Sequence, residues 1–119
     1  MKVFLVHDAN IVRDRLVGII SELPGFAVAM EGNEGGEAFE NILQNKPDVV
    51  IVDVQLRHGG GLNLIHRLSA YTPAPIIIAL ASAASPLYRQ ECMTAGAMHF
   101  FDKSRDQDAL LTALAGLSR

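Results

Sequence analysis

Val49, Val50, Ile51 and Val52 form an unbroken apolar run that ends at Asp53 and is followed by Gly59-Gly60-Gly61. A strand with one wet face alternates apolar and polar residues. An unbroken run predicts a strand covered on both faces, which means a parallel sheet sandwiched by helices. A carboxylate at the C-terminal end of such a strand lies where open α/β sheets place their ligand sites. The remainder of the chain determines what chemistry Asp53 can do.

Lys2 to His7 reads as a first buried strand, and Asp8 follows it directly. Asn10 can cap a helix whose apolar face is Val12, Leu16, Ile19, Ile20 and Leu23, with Pro24-Gly25 ending it. Phe26 to Met30 is a second strand, and Asn33 is a candidate cap for a helix with Ala38, Phe39, Ile42 and Leu43 on its inner face. Gly35 and Gly36 weaken that helix by about 1 kcal/mol each relative to Ala. Pro47 separates it from the third strand, and Leu64, Ile65 and Leu68 mark a third helix that ends near Tyr71-Thr72-Pro73. Ile76 to Ala81 is a fourth strand, again continuously apolar. Ser85-Pro86 pairs a capping residue with the proline that suits a first helical position. The fourth helix carries Tyr88, Cys92 and Ala95 and stops at Gly96. Ala97 to Phe101 is a fifth strand, Asp102-Lys103 follows, and Ser104 with Gln107 has capping-box spacing ahead of Leu110, Leu111, Leu114 and Leu117.

Five strand–helix units joined by right-handed crossovers predict an α/β, doubly wound, five-stranded parallel sheet in the order 2-1-3-4-5, flavodoxin-like, as one domain over residues 1–119. Half of the residues are hydrophobic, enough for a substantial core, and the formal charge is −3 with Lys and Arg scattered singly. That charge gives no electrostatic footprint for nucleic acid. No apolar run approaches the roughly 18 residues that span a bilayer. The start, MKVFLVHDAN, lacks a long apolar region with a small-residue cleavage site. The single cysteine, Cys92, cannot form an internal disulfide. The expectation is a cytoplasmic protein with no membrane or nucleic-acid contact of its own.

All strand C-termini of a parallel sheet lie on one edge, so Asp8, Asp53, the Ala81-Ser82 pair and Lys103 gather at one rim. Asp8 and Asp53, on neighbouring strands at the switch point, are expected to face each other. Two close carboxylates repel unless protonated or bridged by a cation. Mg²⁺ characteristically takes one or two carboxylates with waters and phosphate oxygens. Lysine neutralises a phosphoryl oxygen as a point charge. An aspartate can itself be the nucleophile that becomes an aspartyl phosphate. The composite is a phosphoacceptor site in which Asp53 attacks, Mg²⁺ held by Asp8 and Asp53 offsets charge, and Lys103 grips the transferred group.

The chain resembles the receiver domain of two-component response regulators over its whole length. The residues that carry the resemblance are Val6-His7-Asp8, Asp53 closing the third strand, Gly60-Gly61-Leu62, Ala95-Gly96-Ala97 and Phe101-Asp102-Lys103-Ser104. The Phe-Phe-Asp-Lys-Ser ending is similar to that of stand-alone regulators. The resemblance implies phosphoryl transfer from a histidine kinase or phosphotransfer protein, with Asp53 as phosphoacceptor. It also implies Asp8 as carboxylate metal ligand, the backbone carbonyl of Gln55 as a third Mg²⁺ ligand, Lys103 as the phosphoryl-binding lysine and Phe100 as the switch aromatic. Such a domain is no enzyme beyond handling its own phosphoryl group. It signals to a downstream protein, or to a second copy, through the fourth helix, fifth strand and fifth helix, where Arg89, Gln90 and Glu91 are expected to be exposed.

Two positions depart from the family pattern. The acidic pair after the first strand is here His7-Asp8, and imidazole is a poorer partner for Mg²⁺ than oxygen, so weakened affinity is expected. The hydroxyl that receivers place at the end of the fourth strand is replaced by Ala81. Ser82, one residue later, is a candidate phosphoryl-binding residue if a one-residue local shift lets its hydroxyl substitute, against the alternation that sends successive strand side chains to opposite faces. The rival reading is therefore a degenerate receiver-fold module that docks proteins without phosphorylation.

Other readings are less well supported. His58, His66 and His99 have no shared ligand spacing. Cys92 lies on an apolar stripe and reads as a buried thiol. The three glycines lack the Lys-Ser/Thr of a P-loop and read as a mobile loop beside Asp53. A flavodoxin-type phosphate loop after the first strand would need glycine, and HDANIV has none. A haloacid-dehalogenase-type phosphatase needs a second Asp two residues after the first, where this chain has Gln55.

Overall fold

The computed structural model describes residues 1–8, 11–32, 35–56, 59–82 and 86–117. The elements are β1 (Lys2–Val6), α1 (Ile11–Ser21), β2 (Ala27–Gly32), α2 (Gly35–Asn45), β3 (Val49–Asp53), α3 (Gly61–Ser69), β4 (Ile76–Ala81), α4 (Pro86–Ala95), β5 (His99–Asp102) and α5 (Gln107–Leu117). All strand pairs are parallel and the sheet order is β2-β1-β3-β4-β5. Alternation along each strand sends successive side chains to opposite faces. Phe4, Val6, Val50, Val52, Ala79, Ala81 and Phe100 pack with α2, α3 and α4 through Ile42, Leu64, Ile65, Leu68 and Cys92. Val3, Leu5, Val49, Ile51, Ile78 and Leu80 pack with α1 and α5 through Leu16, Ile20, Leu110 and Leu114. Every residue of β3 is buried, as its unbroken apolar run requires.

Several boundaries differ from the sequence reading. β2 begins one residue later and runs to Gly32, and β5 starts at His99 rather than Ala97. Ser104 does not cap α5. The Asp102 carboxylate instead accepts from the Ser104 and Arg105 amides at 2.9 Å each, closing a turn first. Asp106 then stands at the helix entry: its carboxylate accepts from the Asp102 amide at 2.8 Å, and its carbonyl from the Leu110 amide at 2.9 Å. The caps assigned to Asn10, Asn33 and Ser85, and His58, lie outside the described residues. Gly96 does end α4, with φ 127°.

The third glycine is not loop. Gly61 is buried and is the first residue of α3, lying against the end of β3. A Cβ there would sit 2.7 Å from Val54 Cα and 2.9 Å from the Asp53 carbonyl oxygen. Gly59 and Gly60 supply the left-handed turn that leads in, with φ 75° and 87°. The glycine run thus brings the start of α3 onto the strand end that carries Asp53.

Candidate functional site

β1 and β3 are in register through Val6 and Val52, so one further step sets His7 beside Asp53. Both are buried, at 0% and 1% exposure. The Asp53 carboxylate is surrounded by three donors or potential cations. Lys103 Nζ, from the end of β5, lies 2.8 Å from Oδ2. The Gln55 amide donates to Oδ1 at 2.9 Å, a local turn that orients the acid. His7 Nε2 lies 3.3 Å from Oδ2, within ion-pair reach but not aligned as a hydrogen bond. Across the strand pair His7, the residue preceding Asp8, thus lies against Asp53. Asp8 sits half-buried at the same rim.

His7 is held from its other nitrogen, since Nδ1 lies 3.0 Å from the Asp8 carbonyl oxygen. A carbonyl only accepts, so Nδ1 carries a proton, and Nε2 is turned to the Asp53 side.

Ala81 closes β4 fully buried, and its carbonyl accepts from the Lys103 amide at 3.0 Å, tying the lysine's backbone to the rim. Ser82 takes part through its main chain. Its amide donates to Gln55 Oε1 at 2.7 Å, and its carbonyl accepts from Gln55 Nε2 at 3.2 Å. The Gln55 side chain thus clamps the segment leaving β4, a role with no signature in the sequence. Tyr88 from α4 donates to the Val54 carbonyl at 3.3 Å. Burial first, then the Cys92, Asp53 and Glu91 charges, push its phenol above the usual range. Phe100 is buried on the α2–α4 side of the sheet. Arg89, Gln90 and Glu91 are exposed on α4, His66 is exposed, and His99 stacks on Phe101 at 5.6 Å between ring centroids.

Among the described residues no cluster of three or more His, Cys, Asp or Glu side chains has metal-site geometry. The donors at the rim are the Asp8 and Asp53 carboxylates, main-chain oxygens and the His7 ring nitrogen. Two carboxylates with a carbonyl suit a hard divalent ion whose remaining positions are water or phosphoryl oxygens. Chemically, the arrangement is an oriented, buried carboxylate with a lysine fixed on one oxygen, open to nucleophilic use at a rim where anions are stabilised.

The comparisons with known proteins agree with this geometry. Residues 3–115 match the response regulator receiver domain family. The chain is 32% identical over 114 residues to the uncharacterized transcriptional regulatory protein YesN of Bacillus subtilis, covering 95% of this chain and 31% of that protein. It is 31% identical over 106 residues to a protein-glutamate methylesterase/protein-glutamine glutaminase of Pseudoalteromonas atlantica, covering 86% of this chain and 27% of that protein. The chain therefore spans about a third or less of the length of these relatives. Its fold superposes on a LuxR-family two-component response regulator from Aurantimonas sp. SI85-9A1 with a TM-score of 0.89 at 28% identity, covering 98% of this chain and 83% of that one. With the sheet order, the Asp53–Lys103 pair and the family match in agreement, the chain belongs to the response regulator receiver domain family.

Proposed function

We propose that this chain, as a single receiver domain, accepts a phosphoryl group on Asp53 from a histidine kinase or phosphotransfer protein and signals by changed protein contacts. The observation that carries the reading is the Lys103 ammonium 2.8 Å from Asp53 Oδ2 on an otherwise buried carboxylate. An Asp53 oxygen attacks phosphorus, the donor's P–N bond breaks as the acyl phosphate P–O bond forms, and the imidazole leaves with its electron pair and takes a proton. Lys103 stays with the charge and holds a phosphoryl oxygen. The Gln55 amide orients the carboxylate before attack. Asp8, Asp53 and the Gln55 carbonyl would hold Mg²⁺, which neutralises the phosphoryl oxygens when bound. His7 in place of a second acid makes that binding weak.

The switch differs from the family pattern. Ala81 brings no hydroxyl to the phosphoryl group, and the main chain of Ser82 is already bonded to Gln55. Signal transmission therefore runs through Gln55, two residues from Asp53, rather than through a hydroxyl at position 81. Phe100 keeps the aromatic position, and α4, β5 and α5 form the output or self-dimer face. The transcriptional role named for the Bacillus subtilis relative suggests control of an attached or partner output module. Ala81 also favours a second reading, a degenerate module docking without phosphorylation. Trapping with beryllofluoride and Mg²⁺ separates the two in amide NMR spectra. The phosphoacceptor reading expects shifts around Asp53, Gln55 and Ser82 that disappear in Asp53→Asn. A spectrum unmoved by beryllofluoride favours the docking module.

A further inference from the structure

His7 has a feature that the phosphoacceptor chemistry leaves unused. It is fully buried, its Nδ1–H is committed to the Asp8 carbonyl, and among the described residues its Nε2 has no hydrogen-bond partner. That nitrogen lies 3.3 Å from Asp53 Oδ2 without the alignment of a hydrogen bond, so two potential ligand atoms stand side by side. A buried ring nitrogen without a hydrogen-bond partner beside a carboxylate is a donor pair that a cation can use.

The spacing fits a metal ion. Two donors each about 2.1 Å from one ion are about 3.0 Å apart at an octahedral edge and about 3.4 Å at a tetrahedral edge. The His7–Asp53 pair, at 3.3 Å, lies between these values. A metal-bound imidazole also characteristically donates its other N–H to a carbonyl or carboxylate, which fixes ring and tautomer. The Asp8 carbonyl already does this for His7. Imidazole suits Zn²⁺, Co²⁺ or Ni²⁺, whereas Mg²⁺ prefers oxygen throughout.

We propose that His7 Nε2 and the Asp53 carboxylate form a nitrogen–oxygen divalent-ion site that selects a borderline transition ion of the Co²⁺/Zn²⁺ class over Mg²⁺ by more than an all-oxygen set would. It deepens the proposed phosphoacceptor reading by naming the ion class of the same rim. Lys103 shares Oδ2, and with two protein side chains as ligands the remaining positions go to water or phosphoryl oxygens. The substitution of His7 for an acid then changes which ion the site uses.

Co²⁺ alone is the probe, titrated into the full chain and followed by visible absorption and paramagnetic proton NMR. The expected result is one saturable site with far-shifted, exchangeable Nδ1–H and ring resonances assigned to His7. In His7→Asp, Co²⁺ affinity falls at least tenfold and Mg²⁺ affinity rises. His7→Gln, which keeps a polar side chain of similar reach, loses the Co²⁺ signature without gaining Mg²⁺. Shifted resonances that belong only to His66 or His99 overturn the proposal, and these are read on the wild type, whether or not the variants fold. A Co²⁺-to-Mg²⁺ affinity ratio unchanged in a folded His7→Asp also overturns it. The two readings fail separately. A chain that binds Co²⁺ at His7 but takes no phosphoryl group with any ion keeps this site and loses the phosphoacceptor. One that is phosphorylated with Mg²⁺ and shows no Co²⁺ at His7 does the opposite.

Discussion

Gly61→Ala and Gly18→Ala are the same substitution, and the structure gives them opposite signs. At Gly61 the new Cβ would lie 2.7 Å from Val54 Cα, 2.9 Å from the Asp53 carbonyl oxygen and 3.3 Å from Val54 C. Carbon atoms in comfortable contact are about 3.5 Å apart or more, so backbone must retreat by roughly 0.8 Å. No flexible side-chain end is available to absorb the shift, because all three neighbours are backbone of the strand end. Overpacking of this kind costs about 1–3 kcal/mol, offset by up to about 1 kcal/mol of helix preference for Ala over Gly. The net expectation is a loss of about 1–2 kcal/mol, or roughly 4–8 °C in Tm for a domain of this size. Gly18 lies on the exposed side of α1, and a Cβ there meets nothing within 4 Å. There the helix preference acts alone, and a gain of about 0.5–1 kcal/mol is expected. Thermal unfolding by circular dichroism and urea midpoints measure both. Gly61→Ala should also disturb the Asp53 and Gln55 amide resonances. A Gly61→Ala protein as stable as wild type would refute the close-approach argument, as would equal signs for the two variants.

Lys103→Met removes the cation from a carboxylate that is 1% exposed and should cost about 2–3 kcal/mol, since Lys103 retains some access to water. Adding Asp53→Asn should restore most of that loss, and purely additive urea midpoints would contradict the coupling. Gln55→Ala frees both main-chain groups of Ser82 and should cost about 1 kcal/mol while speeding exchange of the Ser82 amide. An unchanged exchange rate would contradict the clamp. Burial, followed by the Glu91 charge, pushes the Cys92 thiol up from 9.0 to about 11. The folded state then keeps a proton that the unfolded chain loses, so this stabilisation is complete below pH 9 and is lost as pH rises towards 11. Iodoacetamide should react slowly at neutral pH, and the fall in Tm above pH 9 should be shallower in Cys92→Ala.

The parts of the fold that could be read in the sequence were those with one dominant cause. The runs ending at Asp53 and Ala81 have no polar residue to place on a wet face, so they specified buried parallel strands and the rim. Lys103 was legible because it stands two residues past the apolar stretch that ends at Phe101, at the C-terminal edge of the sheet. Other features depended on competition between neighbours. That His7 lies against Asp53 follows from the one-residue register between β1 and β3, which pattern does not carry. The Ser104–Gln107 capping pattern was correct in spacing, but the Asp102 carboxylate claims the Ser104 and Arg105 amides first. The Gln55–Ser82 clamp joins residues 27 apart through a side-chain amide, which leaves no periodic trace. The glycine run read as loose, whereas Gly61 is a close-packing residue whose reason lies in β3.

On the proposed reading Asp53 still takes a phosphoryl group although His7 and Ala81 depart from the family pattern. The most direct test is intact-mass measurement of the full chain after incubation with phosphoramidate, in parallel with Mg²⁺ and with Co²⁺. The expected result is gain of one phosphoryl group, labile to hydroxylamine as an acyl phosphate is, and absent in Asp53→Asn. No mass gain with either ion, or a gain that survives Asp53→Asn, would contradict it.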